Sequence, residues 1–65
     1  MQGKVKFYHG RRGFGFIECP ELGKDVFYHI TKVIDGSIPA KGEQVEFETM
    51  NSEKGIMAVD VKIIG

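Results

Sequence analysis

The chain alternates between short strand-like segments and clusters of turn residues, and no window carries the 3.6-residue apolar period of an amphipathic helix. Polar and less polar side chains alternate most clearly in two segments of the C-terminal third. The pattern predicts one helical turn at residues 30–34. It also predicts five β-strands, at residues 3–8, 13–19, 25–29, 44–50 and 57–64.

Five short strands in 65 residues cannot bury their apolar faces as an open flat sheet. Closing the sheet creates one core, so we expect an all-β fold in which residues 1–65 form a single domain, a five-stranded antiparallel barrel of the OB-fold type. Strand count alone leaves an SH3-like barrel as the alternative. The predicted core residues are Val5, Ile17, Val26, Ile30, Val33, Val45, Phe47, Val59, Val61 and Ile63.

The second and third strands concentrate planar side chains on one face. Because side chains alternate along a strand, Phe14 and Phe16 share one face while Gly15 and Ile17 share the other. If the glycines point inward, another strand can approach closely and the rings are left toward solvent. Phe27 and His29 would join them in one exposed cluster, and such a cluster is typical of a binding surface.

The charge of the chain is zero overall but strongly divided along its length. Residues 1–16 carry four basic residues and no acidic one, a formal charge of +4, whereas residues 17–65 carry five lysines against nine acidic residues, −4. The four cations are Lys4, Lys6, Arg11 and Arg12. Exposed rings can stack on bases, and neighbouring cations can bind the phosphates. Together they indicate binding to a single nucleic-acid strand. A duplex hides its base faces from such a surface.

Other functional classes find less support. With one cysteine, Cys19, and only two histidines, neither a disulfide framework nor a metal site is expected. No apolar run is long enough to cross a membrane, and no phosphate-cradling motif suggests a nucleotide cofactor or small-molecule substrate. His29, Asp25 and Cys19 could form a nucleophilic catalytic site, but nothing in their spacing requires one. An enzyme is therefore not expected. A protein-interaction barrel using the aromatic face is the alternative function.

Three segments together resemble the cold shock domain. Residues 12–17, R-G-F-G-F-I, match its first ribonucleoprotein motif, K/R-G-F-G-F-I. Residues 26–30, V-F-Y-H-I, resemble the second motif, V-F-V-H-F, and residues 3–8, G-K-V-K-F-Y, resemble the opening G-K-V-K-W-F. The order and spacing of the segments also fit, and the resemblance covers nearly the whole chain.

The resemblance implies a monomeric, cytoplasmic OB-fold protein that binds single-stranded RNA and DNA and acts as an RNA chaperone. Lysine and arginine would contact the backbone, rings would stack on bases, and Asp25 would hydrogen-bond a base edge, although Asp25 could equally cap the turn before its strand. The site positions implied in this way are Lys6, Phe7, Arg12, Phe14, Phe16, Asp25, Phe27, His29, Ile30 and Lys54.

The chain departs from the family pattern at several positions. Phe7 replaces a usual tryptophan, and Ile30 and Ile38 stand where aromatic residues are common. Strict alternation would also turn Phe7 inward together with Val5, whereas the resemblance places it on the binding face. A β-bulge or strong strand curvature near Phe7 would reconcile the two expectations.

Overall fold

The computed structural model describes residues 1–53 and 55–64. These residues form five strands, β1 (Gln2–His9), β2 (Phe14–Cys19), β3 (Lys24–His29), β4 (Gln44–Ser52) and β5 (Gly55–Ile63). A single 3-10 turn, Ile30–Lys32, follows β3 and is shorter than the predicted helical turn. All five predicted strands are confirmed, with bounds that differ by no more than two residues.

The strands close into a barrel in the order β1-β2-β3-β5-β4, and β4 returns to pair with β1. Four of the five pairings are antiparallel. The exception is β3 against β5, which run in the same direction and meet where Phe27 pairs with Met57. The predicted five-stranded barrel is therefore confirmed, with one short parallel junction that strand counting did not show.

One apolar core fills the barrel. Seven of the ten predicted core residues belong to it, but Ile30, Val59 and Ile63 are only half-buried, so those three predictions are wrong. The observed core residues are Val5, Ile17, Cys19, Val26, Tyr28, Val33, Val45, Phe47, Ala58 and Val61. Ile30 lies outside because it begins the 3-10 turn and follows the end of β3.

A bulge in β5 explains why Ala58 replaces Val59 in the core. Glu48 of β4 pairs with Val59 and Glu46 with Lys62, so β5 carries one extra residue over this interval. Asp60, in the middle of it, has a φ of 52°, the left-handed region that aspartate tolerates better than most residues. The extra residue shifts the side-chain alternation, so that the inward positions of β5 are no longer those of uninterrupted alternation.

Gly15 of β2 does face inward, and its missing side chain makes room for Tyr28. A Cβ atom on Gly15 would lie 2.8 Å from the Tyr28 ring and closer still to the backbone oxygen of Phe7. Tyr28 is completely buried and stacks on Tyr8, with ring centroids 6.5 Å apart. Burial, with a smaller contribution from Tyr8, raises the pKa of Tyr28 to about 12. With Gly15 inward, Phe14 and Phe16 face outward.

A second bulge, in β1, turns Phe7 outward. Val5 pairs with Ile17 and Phe7 with Phe16, so two steps along β1 match one step along β2. The extra residue is Lys6. Val5 is consequently buried, while Phe7 is 46% exposed. The predicted bulge near Phe7 is confirmed, and it places Phe7 on the same side as the rings of β2.

Candidate nucleic-acid interface

Six planar side chains stand in two rows across the outer face of β1, β2 and β3. Direct cross-strand pairing aligns the first row, Phe7, Phe16 and Phe27. The same pairing aligns the second row, His9, Phe14 and His29. Residues directly opposite each other in neighbouring strands lie about 5 Å apart, close enough for their side chains to touch. We call these six side chains the aromatic surface.

The rings of the aromatic surface contact one another as well as the sheet. Phe14 stacks on Phe27 with centroids 5.6 Å apart and an interplanar angle of 27°. Phe16 meets Phe14 and Phe27 edge to face, at 6.1 and 6.0 Å. Phe7 lies 6.4 Å from both Phe14 and Phe16. Each of the four phenylalanine rings is therefore supported by another ring, and none of the four is fully buried.

None of the six side chains belongs to the barrel core. Phe7 is exposed and the other five are half-buried. Beside Phe16 and Phe27 a shallow groove of about 300 Å³ continues toward the β4–β5 hairpin, where Ile56 and Met57 form its far wall. The apolar area left open to solvent is thus continuous over three strands and the adjoining hairpin.

His29 and Ile30 mark the end of β3. The Nδ1 atom of His29 accepts a hydrogen bond from the backbone N–H of Thr31 at 3.2 Å and lies 2.9 Å from its hydroxyl oxygen. The imidazole therefore caps the 3-10 turn, and this contact fixes the orientation of its ring. Ile30 is half-buried, and its backbone N–H donates to the Gly13 carbonyl at 2.8 Å.

Two of the sequence-predicted site residues bind each other. The Nζ of Lys6 lies 3.0 Å from Oδ2 of Asp25, and both side chains are substantially exposed. The hydrogen bond to Asp25, and then its charge, raise the pKa of Lys6 above its ordinary value. An exposed pair of this kind contributes little to stability, so a ligand can displace it at small cost.

The turn between β1 and β2 carries two more cations, Arg11 and Arg12. Its backbone is held by the His9 carbonyl, which accepts from the N–H groups of Arg12 and Gly13 at 3.2 and 2.9 Å. Arg11 and Arg12 are exposed, and within the described part of the chain neither forms an ion pair. Their charges are therefore available beside the second row of rings.

Sequence reasoning and structure agree on most of the site residues' positions. Of the residues implied by the resemblance, Lys54 lies outside the described residues. His9 was not predicted as part of the site, although it follows Phe7 by two residues and alternation after the bulge assigns both to one face. Ile38, in the loop after the 3-10 turn, is exposed.

Residues 1–53 and 55–64 contain neither a cluster of metal-ligating side chains nor a helix of membrane-spanning length and apolarity. Within them, no three histidine, cysteine, aspartate or glutamate side chains come together as metal ligands. No helix in this part of the chain is long and apolar enough to cross a membrane.

Comparison with known proteins identifies the family. The family model described as the 'Cold-shock' DNA-binding domain matches residues 1–64. The chain belongs to the cold-shock domain family. Cold shock-like protein CspC of Shigella flexneri is 38% identical over 98% of this chain and 96% of that protein. The CspC of Bacillus cereus is 40% identical over 94% of this chain and 95% of that protein.

A solved structure, the Drosophila Unr segment CSD456, is similar to the cold-shock barrel with a TM-score of 0.83 and 29% identity. The match covers 98% of this chain and 26% of that one. The similarity confirms the predicted OB-fold, and the family makes this chain a nucleic-acid-binding cold shock protein. Its aromatic surface and basic turn are the candidate site for that binding.

Proposed function

We propose that this cold-shock domain binds single-stranded RNA and DNA on its aromatic surface and acts as an RNA chaperone that keeps transcripts unpaired. It would do so as a monomer in the cytoplasm, with residues 1–65 as one domain and without a cofactor, small-molecule substrate or catalytic reaction. The observation that carries the proposal is the register of the two ring rows, which presents six planar groups on one outer face.

Stacking supplies the selectivity for unpaired strands. A base that leaves its partner can place its face on a ring, at about 1–3 kcal/mol per base, whereas the bases of a duplex are already stacked. Every base has such a face, so the surface would bind many sequences. By holding unpaired bases, it would lower the population of base-paired transcript, which is the chaperone activity proposed here.

Cations would position the phosphates along the rings. Arg11 and Arg12 are exposed at one end of the second row. Lys6 lies in the bulge next to Phe7, where its ammonium is held by Asp25. A strand that reaches this pair offers a phosphate to Lys6 and a base edge to Asp25, so that the ion pair is exchanged for two ligand contacts.

A salt titration tests the proposal directly. Fluorescence anisotropy would follow a labelled single-stranded oligothymidylate, with a duplex of the same strand as the control. About three neutralised phosphates predict that the logarithm of the affinity falls with the logarithm of the salt concentration with a slope of roughly −2. Arg12→Gln should flatten the slope by about 0.7, because one phosphate contact is lost.

Lys62→Gln is the matched control for charge. Lys62 is also exposed, but it lies on β5 opposite Glu46, away from the rings. Its removal should leave the slope unchanged. Equal affinity for duplex and single strand, or no binding at low salt, would contradict the proposal and favour a protein-interaction barrel that uses the same apolar face.

A further inference from the structure

His9 differs from His29, the other imidazole of the aromatic surface, in the hydrogen bonding of its side chain. The imidazole of His29 caps a turn, but Nδ1 of His9 is buried without a hydrogen-bond partner among the described residues. Only the backbone carbonyl of His9 holds the β1–β2 turn, and any residue would supply that carbonyl. Buried polar atoms are rarely left unpaired without a reason, so the ring itself requires an explanation.

The position of the ring supplies one. His9 lies almost parallel to Phe14, with centroids 5.5 Å apart and an interplanar angle of 14°. It also meets Phe7 edge to face at 6.2 Å. The imidazole therefore extends the flat area of the second row by one ring beyond Phe14, toward the turn. With Nδ1 buried, Nε2 is the ring nitrogen through which His9 can hydrogen-bond a ligand.

The turn that follows His9 carries a cation. Arg11 is exposed, lies two residues after His9, and has no ion-pair partner in residues 1–53 and 55–64. A planar group for the base and a guanidinium for the phosphate are the two components that one nucleotide of a single strand requires.

We propose that His9 and Arg11 form an additional nucleotide subsite at the turn end of the aromatic surface. One base stacks on the imidazole beside Phe14, and the guanidinium of Arg11 neutralises the phosphate of that nucleotide. The proposal rests on the proposed function, because it adds one nucleotide to a strand already bound on the remaining rings.

The test combines oligonucleotide length with substitution. Affinities of the full chain would be measured for oligothymidylates of about four to about ten nucleotides, a range within the site sizes of single OB-folds. For the longest oligonucleotides, His9→Ala should bind about five-fold more weakly, as expected when one stacking contact is lost. Oligonucleotides too short to reach the subsite should bind the wild type and His9→Ala with equal affinity. The affinity of His9→Ala should therefore stop increasing with oligonucleotide length one nucleotide earlier than that of the wild type.

Two further substitutions at the same position separate stacking from folding. His9→Phe keeps a ring and should keep the length dependence of the wild type. His9→Gln keeps bulk and polarity without a ring and should reproduce the loss seen for His9→Ala. Thermal unfolding would show that each variant remains folded. Arg11→Gln should flatten the salt dependence only for oligonucleotides long enough to reach the subsite.

The outcomes distinguish this subsite from the function on which it rests. Identical length dependence for wild type and His9→Ala would overturn the subsite while single-strand binding stands. A loss that is equal at every length would also overturn it, since His9 would then act by supporting Phe14. If the wild type binds no oligothymidylate of any length, the proposed function itself is wrong.

Discussion

Replacing Phe16 by leucine should weaken nucleic-acid binding without unfolding the protein. Phe16 is the centre of the first row, with ring centroids 6.4 Å from Phe7 and 6.0 Å from Phe27. Leucine keeps most of the apolar volume against these neighbours and removes the flat face. We expect binding to lose about 1–3 kcal/mol, roughly a 5- to 150-fold lower affinity. The free energy of unfolding of this half-buried site should fall by less than about 1.5 kcal/mol.

Phe47→Leu is the matched control, because the same chemical change then falls inside the barrel. Phe47 is 1% exposed and belongs to the core. Its replacement should cost about 1–2 kcal/mol of stability, since a ring is lost from a close-packed interior. Each kilocalorie lowers the Tm of a domain of this size by roughly 4–8 °C. Below the transition, the affinity for a single strand should remain that of the wild type.

Two measurements decide between these expectations. Circular dichroism gives the Tm of both variants, and anisotropy with a single-stranded oligothymidylate gives their affinities at a temperature where both are folded. If Phe16→Leu lowers the Tm as much as Phe47→Leu and leaves the affinity unchanged, then the aromatic surface supports the fold and does not bind nucleic acid.

Three further substitutions test the barrel interior and the ion pair. Gly15→Ala should destabilise the fold by about 1–3 kcal/mol, because its Cβ would overlap the backbone oxygen of Phe7 and the Tyr28 ring. Gly10→Ala, with its nearest neighbour at 3.9 Å, should stay within about 0.5 kcal/mol in a thermal melt. The pKa of Tyr28 is about 12 in the folded state against an ordinary value of 10.0, so the free energy of unfolding should fall as the pH rises from 10.0 to about 12. Denaturant titrations at alkaline pH should show that Tyr28→Phe removes this contribution to the pH dependence. Asp25→Asn should release the ammonium of Lys6 and return its pKa toward the ordinary value, with no measurable change in Tm. The salt dependence of binding should stay that of the wild type, because Lys6 neutralises one phosphate in either complex.

Much of the site followed from local rules. In β2, Phe14 and Phe16 alternate with Gly15. A glycine on the outer face would weaken the strand and gain no packing in return, so alternation predicts Gly15 inward and the rings outward. The steric reason, a Tyr28 ring packed where a Cβ of Gly15 would lie, is visible only in the structure. Alternation in β3 likewise assigned Phe27 and His29 to one face, and their pairing with Phe16 and Phe14 confirms that arrangement.

Local rules failed where a strand carries an extra residue. Alternation in β5 predicted Val59 in the core, but the bulge around Asp60 puts Ala58 there instead. A β-bulge depends on the pairing with the neighbouring strand, so its position follows from closure of the barrel more than from the residues that form it.

Sequence alone predicts the strand segments, the ring-bearing face of β2 and β3, and the division of charge, because each depends on neighbours along the chain. The tertiary structure decided that Phe7 turns outward, that His9 completes the second row, and that Lys6 is held by Asp25. These features depend on the register of β1 against β2 and β3. A shift of one residue in that register reverses the face of every later side chain, and local alternation does not reveal where the shift occurs.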